Sequence, residues 1–241
     1  MRDRVATDFW ANRPTAPLLA GFVAEASGQG LSGLKMKSDA DGNTAKALLA
    51  IADDIPTDFR ITIDPMYAWR SFRESAHLFE ALARLPFTVQ IEDPFHYHAV
   101  EDWQQARRFG PLTIVCHPRR EEVLHFALRE QLADAYNLGG GSLAGFVRLA
   151  QVTEFQHKDC WQGSSLELGV LQHLRLHGAA CARSCILASD LSSEWVREHT
   201  LVTPRMGYEG AFAKLPSLPG LGIELDHAAI DRYTQEKFEV N

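Results

Sequence analysis

The sequence predicts an α/β fold, a TIM-like (β/α)8 or (β/α)7β barrel of parallel strands. Short runs rich in β-branched and aromatic residues alternate with longer segments of helical periodicity, an order typical of a parallel sheet. Polar residues end four successive runs at intervals of about 25 to 28 residues, the length of one strand and one helix. The chain has 241 residues, which is the size of one barrel. We therefore expect a single barrel domain over residues 1–241.

The strand predictions rest on runs of β-forming residues that are bounded by glycine, proline or turn residues. The four clearest runs are residues 31–37, 59–64, 87–92 and 112–117. The helical patterns that follow them cover residues 44–53, 72–85, 100–109 and 119–132. Three later strands are predicted at residues 134–138, 159–163 and 184–188, with helices at 142–155 and 165–180. A first strand within residues 5–12, followed by a helix at 15–27, brings the predicted count to eight.

Composition and charge exclude several classes of partner. The chain is 46% hydrophobic and 23% charged, the balance of a soluble globular protein with a sizeable core. Its net charge of -7 and the absence of a basic stretch argue against a nucleic-acid partner. No run of about eighteen apolar residues and no apolar signal core occur in the sequence. We therefore expect a cytoplasmic protein with no membrane partner.

The polar residues that end the four clearest strands are Lys37, Asp64, Glu92 and His117. In a barrel the carboxyl ends of all strands converge on one mouth, so these residues should face each other. Carboxylate oxygens are ligands that magnesium and manganese prefer, and the acidic pair therefore predicts a divalent metal site. The alternative is that these two acids, each followed closely by a proline, only cap loops.

Lys35 and Lys37 lie two residues apart on one predicted strand, so their side chains point to the same face. If that face is the barrel interior, the two ammonium groups crowd each other and the pKa of at least one should fall toward neutrality. A lysine with a lowered pKa can act as a general base. The alternative is a pair of surface lysines beside a loop.

Five motifs occur in an order that resembles a known family. They are Lys35-Met-Lys37, Ile63-Asp64-Pro65 with Trp69 close behind, Ile91-Glu92-Asp93-Pro94, Gly139-Gly140-Gly141, and the segment from Leu218 to Asp226. In this order and at this spacing the chain resembles the barrel domain of the mandelate racemase and muconate lactonizing group of the enolase superfamily. The resemblance covers essentially the whole chain.

The resemblance implies an enzyme that binds Mg²⁺ and removes the α-proton of a carboxylate substrate. The metal stabilises the negative charge that develops on that substrate. In the family the second lysine of the K-x-K motif is the usual base, which implies this role for Lys37. Lys35 would then lower the pKa of Lys37 and neutralise charge. Asp64 and Glu92 match the first two metal ligands.

The third metal ligand departs from the family, because His117 stands where an acidic residue is usual. Imidazole accepts divalent metals but is softer and uncharged, so Mn²⁺ or Zn²⁺ becomes a possible ion beside Mg²⁺. The alternative is that His117 is only a polar residue of the pocket.

The residues expected on the opposite side of the site also depart from the family. Asp134 matches the aspartate of a His-Asp dyad, Asn137 stands where a sixth-strand lysine is expected, and the expected histidine falls near Gln162. We predict that these three residues contact the substrate. A second base is missing, which disfavours a racemase and favours an acid-sugar dehydratase or a cycloisomerase.

Members of the family begin with an α+β capping domain, and this sequence has no match to it. Three alternatives follow from this: the chain is a fragment, a truncated descendant whose mouth stays open to water, or a barrel domain that works with a further partner beside the carboxylate substrate, either a separate capping domain or a second copy of the chain. The alternative function is a non-catalytic barrel that keeps the fold and acts as a binding or scaffold protein.

Overall fold

Seven parallel strands form one curled sheet in a computed structural model that describes residues 2–163 and 165–236. In chain order the strands are β1 (Arg4–Ala6), β2 (Phe9–Asn12), β3 (Gly33–Lys37), β4 (Arg60–Asp64), β5 (Thr88–Glu92), β6 (Thr113–Cys116), β7 (Ala135–Asn137), β8 (Asp159–Trp161), β9 (Val202–Thr203), β10 (Tyr208–Glu209), β11 (Phe212–Lys214) and β12 (Glu224–Leu225). The α-helices are α1 (Ala16–Gly28), α2 (Asn43–Ala50), α3 (Phe72–Leu82), α4 (Val100–Arg107), α5 (Glu121–Arg129), α6 (Leu143–Phe155), α7 (Gly169–Cys181), α8 (Ser193–Val196) and α9 (His227–Tyr233).

The parallel sheet contains β2 to β8, and each strand pairs with the next one in the chain. A helix returns the chain to the same end after each of the strands β2 to β7, which parallel pairing requires. The predicted order of strands and helices is confirmed for this sheet. All carboxyl ends of its strands therefore meet at one edge.

The main hydrophobic core lies between the sheet and the helices, because alternate strand residues point to opposite faces. The outward-facing strand residues in this core include Leu34, Met36, Ile61, Ile63 and Ile91. A smaller apolar cluster lies on the inner face and contains Val115, Ala135 and Trp161, with Leu187 packed against it. The inner face of β3, β4 and β5 is polar instead, which leaves room for charged side chains at the site.

Two helices begin where the sequence places a capping serine. The Ser71 hydroxyl accepts the Glu74 N–H at 3.3 Å before α3, and the Ser142 hydroxyl accepts the Gly145 N–H at 3.1 Å before α6. Such a cap satisfies a backbone donor that has no partner inside the helix. The predicted starts of these helices are within one residue of the observed ones.

The predicted strand at residues 184–188 does not form as a regular strand. The Ile186 N–H donates to the Ser184 carbonyl at 3.0 Å, a local turn that bends the chain where a strand would be extended. The prediction of eight regular parallel strands is therefore wrong for this segment of the chain.

Beyond that bend, the backbone bonds to β8 and to β1. The Leu187 N–H donates to the Cys160 carbonyl at 3.3 Å, on the β8 side. The Ser189 N–H donates to the carbonyl of Ala6, the last residue of β1, at 2.8 Å. This segment is thereby bonded to both β8 and β1.

The last third of the chain adds antiparallel pairs that the sequence did not predict. Within the described ranges, β1, β11 and β10 form a small antiparallel sheet, and β12 pairs with β9. The Asp226 carboxylate accepts the Ala229 N–H at 2.9 Å and begins α9. None of the helices in the described part of the chain has the length and apolarity that a bilayer span requires.

Trp69 joins the loops that follow β3 and β4. Its indole N–H donates to the Asp39 carbonyl at 3.2 Å, and its ring packs edge-on against Phe79 in the core. Only 2% of Trp69 is exposed. These contacts hold two of the loops at the carboxyl edge of the sheet.

Candidate functional site

Charged side chains from β3, β4 and β5 meet at the carboxyl edge of the sheet. The strand register places Lys37 opposite Asp64 and Ile63 opposite Ile91, so that Asp64 and Glu92 end neighbouring strands side by side. Lys35, Asp64 and Glu92 are buried, and Lys37 is half-buried. The predicted convergence of these strand ends is present in the structure.

Each of the two acids is paired with a lysine. Lys35 Nζ lies 2.7 Å from Glu92 Oε2 and 2.8 Å from Asp190 Oδ2. Lys37 Nζ pairs with Asp64 Oδ2, while Asp64 Oδ1 accepts the Met66 N–H at 2.9 Å. Each lysine therefore has at least one carboxylate counterion. Their spacing in the sequence would also have allowed two unpaired ammonium groups to face each other.

The pKa of Lys35 is raised, so Lys35 is not a lysine whose pKa crowding lowers toward neutrality. Burial lowers this pKa, but Asp190 and Glu92 raise it by more because their carboxylates contact the ammonium group. The Trp161 ring centroid lies 5.5 Å from Lys35 Nζ and adds a cation–π contact. Lys35 is thus held as a cation.

The acids at the two strand ends differ in pKa. Burial raises the pKa of Glu92, but Lys35 and His117 together lower it by a larger amount. The net pKa of Glu92 is therefore below the ordinary value. Burial and the neighbouring Glu92 raise the pKa of Asp64 against the opposing effect of Lys35 and Lys37. Glu92 is therefore the more firmly ionised of the two carboxylates.

Asp93 is a member of the cluster that the sequence reasoning missed. Asp93 Oδ1 accepts the His117 backbone N–H at 2.8 Å, and the Tyr67 hydroxyl also bonds to this carboxylate. Burial raises the pKa of Asp93 well above its ordinary value, and Glu92 and Asp64 raise it further. Its position directly after Glu92 was the available signal, but strand alternation predicts that such a residue points away.

The His117 ring lies beside Glu92 at the end of β6. His117 Nε2 is 3.0 Å from the Gly139 carbonyl oxygen, and Nδ1 is 3.6 Å from Glu92 Oε1. Burial lowers the pKa of His117, and the opposing effect of Glu92 is smaller. The ring is therefore a neutral imidazole near neutral pH.

The residues present fit a divalent metal ion. Potential ligand atoms of Glu92, Asp93 and His117 all lie within 4.8 Å of one another. Ligands that each stand roughly 2.0–2.6 Å from one ion are separated by no more than about 5 Å, so this spacing is compatible with a shared ion. Two carboxylates and an imidazole are donors that suit Mn²⁺ or Zn²⁺ as well as Mg²⁺.

Asn137 and Gln162 lie close to this cluster. Asn137 Nδ2 donates to Glu92 Oε1 at 2.9 Å, and Asn137 Oδ1 accepts the Gly139 N–H at 2.9 Å. Gln162 is buried just after β8, and its amide donates to the Gly163 carbonyl at 3.0 Å. Both residues are thus at the carboxyl edge of the sheet.

Asp134, which was predicted to contact the substrate, lies elsewhere. It precedes β7 and therefore stands at the amino end of that strand, opposite the edge that carries the cluster. Its carboxylate pairs with Arg107 Nε at 2.9 Å and accepts the Ile114 N–H at 3.0 Å. The structure therefore does not bring Asp134 to the cluster. Its match to the dyad aspartate rested on the family resemblance, although the predicted strand at 134–138 already began at this residue.

Asp190 is a second residue that the sequence reasoning missed. It is buried and follows the irregular segment at 184–188, and its backbone N–H donates to the Gln162 carbonyl at 3.0 Å. Its carboxylate reaches Lys35 from the side of the site opposite β4 and β5. An acidic residue two positions after a predicted strand was the signal that could have identified it.

Comparison with known proteins gives a family for the chain. The family described as "Enolase C-terminal domain-like" matches residues 19–229. Among solved structures, 2-chloromuconate cycloisomerase from Rhodococcus opacus 1CP is 18% identical with a TM-score of 0.88, over 97% of this chain and 66% of that one. N-succinyl Arg/Lys racemase from Bacillus cereus ATCC 14579 is 18% identical with a TM-score of 0.86, over 98% and 64%. The L-Ala-D/L-Glu epimerase from Bacillus subtilis is 20% identical with a TM-score of 0.82, over 92% and 64%.

The chain thus spans just under two thirds of the length of these three proteins. The family match covers most of the chain and includes the strands that carry the lysines and the acids. The resemblance predicted from the five motifs is confirmed, and the chain belongs to the enolase C-terminal domain-like family.

Proposed function

We propose that this chain is the barrel of a divalent-metal-dependent lyase or isomerase that removes the α-proton of a carboxylate substrate. The observation that carries this proposal is the meeting of Lys35, Lys37, Asp64 and Glu92 at the ends of three adjacent strands. An anionic substrate needs local cations in a chain with a net charge of -7, and the two lysines supply them.

Glu92 and His117 would hold the metal, with Asp64 or Asp93 as a further ligand. A bound Mg²⁺ or Mn²⁺ would supply a positive charge that makes the α-proton of the carboxylate more acidic. Asn137 supports this arrangement, because its amide N–H holds Glu92 Oε1 in place.

Lys37 is our candidate for the base. Its side chain is 24% exposed, compared with 4% for Lys35, so a substrate at the carboxyl edge can reach its Nζ. Lys35 stays protonated between Glu92 and Asp190 and offers its charge to the substrate carboxylate.

One-base chemistry is favoured over racemisation. Asn137 stands where the family resemblance leads us to expect a lysine, and an amide does not accept a proton at neutral pH. A dehydration or a cycloisomerisation needs only one well-placed base on the α-carbon. An acid sugar or another hydroxy acid is the substrate class that we propose.

We also propose that residues 187–190 take the place of the eighth strand and close the barrel. The supporting observations are the backbone bonds of this segment to Cys160 and Ala6 and the parallel bridge between Thr7 and Ser189. Closure would bring Asp190 to Lys35, as their ion pair requires.

Proton exchange in deuterated water tests the function. With Mg²⁺ or Mn²⁺ and a panel of hydroxy acids and acid sugars, the protein should exchange the α-proton of at least one substrate with retention of configuration. Lys37→Ala should remove the exchange, whereas Lys158→Ala, at the amino end of β8, should not. Exchange that survives Lys37→Ala, or rapid racemisation, would contradict the assignment of one base.

A second candidate function is a barrel that binds carboxylates without turnover. The observation that favours it is that Glu92 and Asp64 already have lysine counterions and that Asn137 replaces a basic residue. Metal-dependent binding of a carboxylate, with no proton exchange across the panel, would support this function instead.

A further inference from the structure

We infer that this chain holds its divalent ion through Glu92, Asp93 and His117, while Asp64 serves as the counterion of Lys37. The inference rests on the proposed metal site and names its ligands. It differs from the ligand set expected from the sequence, in which Asp64, Glu92 and His117 act together.

The backbone at Asp93 turns its carboxylate toward the cluster. Successive strand residues point to opposite faces, so the residue after Glu92 should leave the inner face. Asp93 has a φ of 47°, in the left-handed region that aspartate tolerates better than most residues, and its N–H donates to the Val115 carbonyl at 2.9 Å. The turn brings an Asp93 oxygen within 4.8 Å of ligand atoms of Glu92 and His117.

Asp93 is the acid of the cluster that lacks a cation. Only 2% of the residue is exposed, and no lysine or arginine pairs with it among residues 2–163 and 165–236. Its known partners, the His117 N–H and the Tyr67 hydroxyl, are neutral donors. A buried carboxylate is costly without a compensating charge, and a bound metal ion would supply that charge.

The imidazole of His117 presents a lone pair to Glu92. A carbonyl only accepts hydrogen bonds, so the Nε2 that faces the Gly139 carbonyl at 3.0 Å carries the hydrogen. Nδ1 of the neutral ring is then an acceptor, and it faces another acceptor, Glu92 Oε1, at 3.6 Å. A cation between these two atoms would satisfy both. Metal-binding histidines commonly donate their other ring N–H to a carbonyl, as His117 does here.

Asp64, in contrast, already has a cationic partner. Oδ2 pairs with Lys37 and Oδ1 accepts the Met66 N–H. Releasing Asp64 to a metal would remove the contact that positions the Lys37 side chain. The geometry therefore favours an ion on the side of β5 and β6, with Asp64 retained to orient the lysine.

Manganese binding to the whole chain distinguishes the two ligand sets. The dissociation constant for Mn²⁺ is measured from the electron paramagnetic resonance signal of the free ion. We expect Asp93→Asn to weaken Mn²⁺ binding at least about tenfold, Asp64→Asn to weaken it by a clearly smaller factor, and Asp134→Asn to leave it unchanged. Asp134→Asn is the matched control, because it removes a carboxylate at the opposite end of the sheet.

Electron spin echo modulation of bound Mn²⁺ tests imidazole coordination directly in the unaltered protein, before any variant is made. The unaltered protein should show the ¹⁴N modulation of one directly bound imidazole, and His117→Gln should abolish it. Absence of this modulation, absence of Mn²⁺ binding at millimolar concentrations, or a loss in Asp64→Asn that equals or exceeds the loss in Asp93→Asn would overturn the ligand set.

Proton exchange and Mn²⁺ affinity together separate the ligand set from the proposed function. Exchange that depends on Lys37, together with normal Mn²⁺ binding in Asp93→Asn, would contradict the ligand set and leave the function standing. The expected pattern of Mn²⁺ affinities without exchange on any substrate would support the ligand set and contradict the enzyme.

Discussion

Charge is distributed unevenly among the buried residues of the cluster. Lys35 contacts two carboxylates, Lys37 contacts one, and Asp93 has only neutral hydrogen-bond donors in the described chain. A buried charge without a partner costs several kcal/mol, whereas an exposed pair contributes little. Single residues of this site should therefore differ widely in their effect on stability.

Replacing Lys35 should destabilise the protein far more than replacing Lys37. Lys35→Met leaves Glu92 and Asp190 buried without their cation, and the expected loss in the free energy of unfolding is about 3–5 kcal/mol. Lys37→Met removes a partly exposed partner, and we expect a loss of about 1–2 kcal/mol. Urea denaturation of the two variants measures both values. Equal losses would argue that Lys35 is not held between two carboxylates.

Replacing Asp93 should stabilise the metal-free protein in a pH-dependent way. Burial raises the pKa of Asp93 in the folded state, so its stabilising contribution is complete below the unfolded pKa, near 4. That contribution is lost as the pH rises through the folded pKa, where the buried carboxylate ionises. We therefore expect the melting temperature of Asp93→Asn in EDTA to exceed that of the unaltered protein by an amount that grows from pH 4 to pH 8. A difference that stays constant over this range would contradict the raised pKa.

At the scale of elements, the loops after β7 and β8 pack backbone against backbone. A Cβ atom at Gly139 would lie 2.4 Å from the Gly163 Cα, and one at Gly163 would lie 2.1 Å from Asn137 Oδ1. Only glycine allows an approach this close. The contact holds Asn137 against Glu92 and so connects the loops to the site.

Two glycine substitutions should have opposite effects on stability. Gly139→Ala should destabilise the protein by about 1–3 kcal/mol, because the added methyl group overlaps the Gly163 backbone. Gly21→Ala, within α1 and with no atom within 4 Å of the new Cβ, should stabilise it by about 0.5–1 kcal/mol. Urea denaturation of both variants is the measurement. A Gly139→Ala variant as stable as the unaltered protein would show that the loops do not pack this closely.

At the scale of the whole molecule, the site connects strands that are far apart in sequence. Its members come from β3, β4, β5, β6, β7 and the segment before α8. A ligand that binds this arrangement binds only the folded chain, since the unfolded chain does not bring these residues together. Metal binding should therefore stabilise the global fold by mass action.

Manganese should raise the melting temperature of the whole protein. At a free concentration of about 100 times the dissociation constant the gain is roughly 2.7 kcal/mol, which corresponds to about 5–10 °C for a chain of this size. Glu92→Gln should abolish the rise, because Glu92 lies at the centre of the cluster, while Asp134→Asn should keep it. A full rise in Glu92→Gln would show that the stabilising ion binds elsewhere.

The sequence was sufficient to predict the parallel sheet and part of the site. Strand β3 follows a short alternating run bounded by glycine, and β4 to β6 follow β-branched runs bounded by turn residues. Their observed ends lie within two residues of the predicted ones. Two regularities predicted that Lys35, Lys37, Asp64 and Glu92 lie together. Side chains two residues apart on a strand share a face, and residues one strand–helix unit apart end neighbouring strands at the same edge.

Only the tertiary structure decided how the charges at that edge are balanced. Asp190 reaches Lys35 from an irregular segment, and Asp93 joins the cluster through a left-handed turn, so neither follows from a strand period. Asp134 was matched to the dyad aspartate by family resemblance, but it lies at the amino end of β7, where the predicted strand also began. Periodicity in the sequence determines which face a residue of a regular element occupies, whereas turns and contacts between distant segments determine which ion pairs form and which carboxylate is left without a cation.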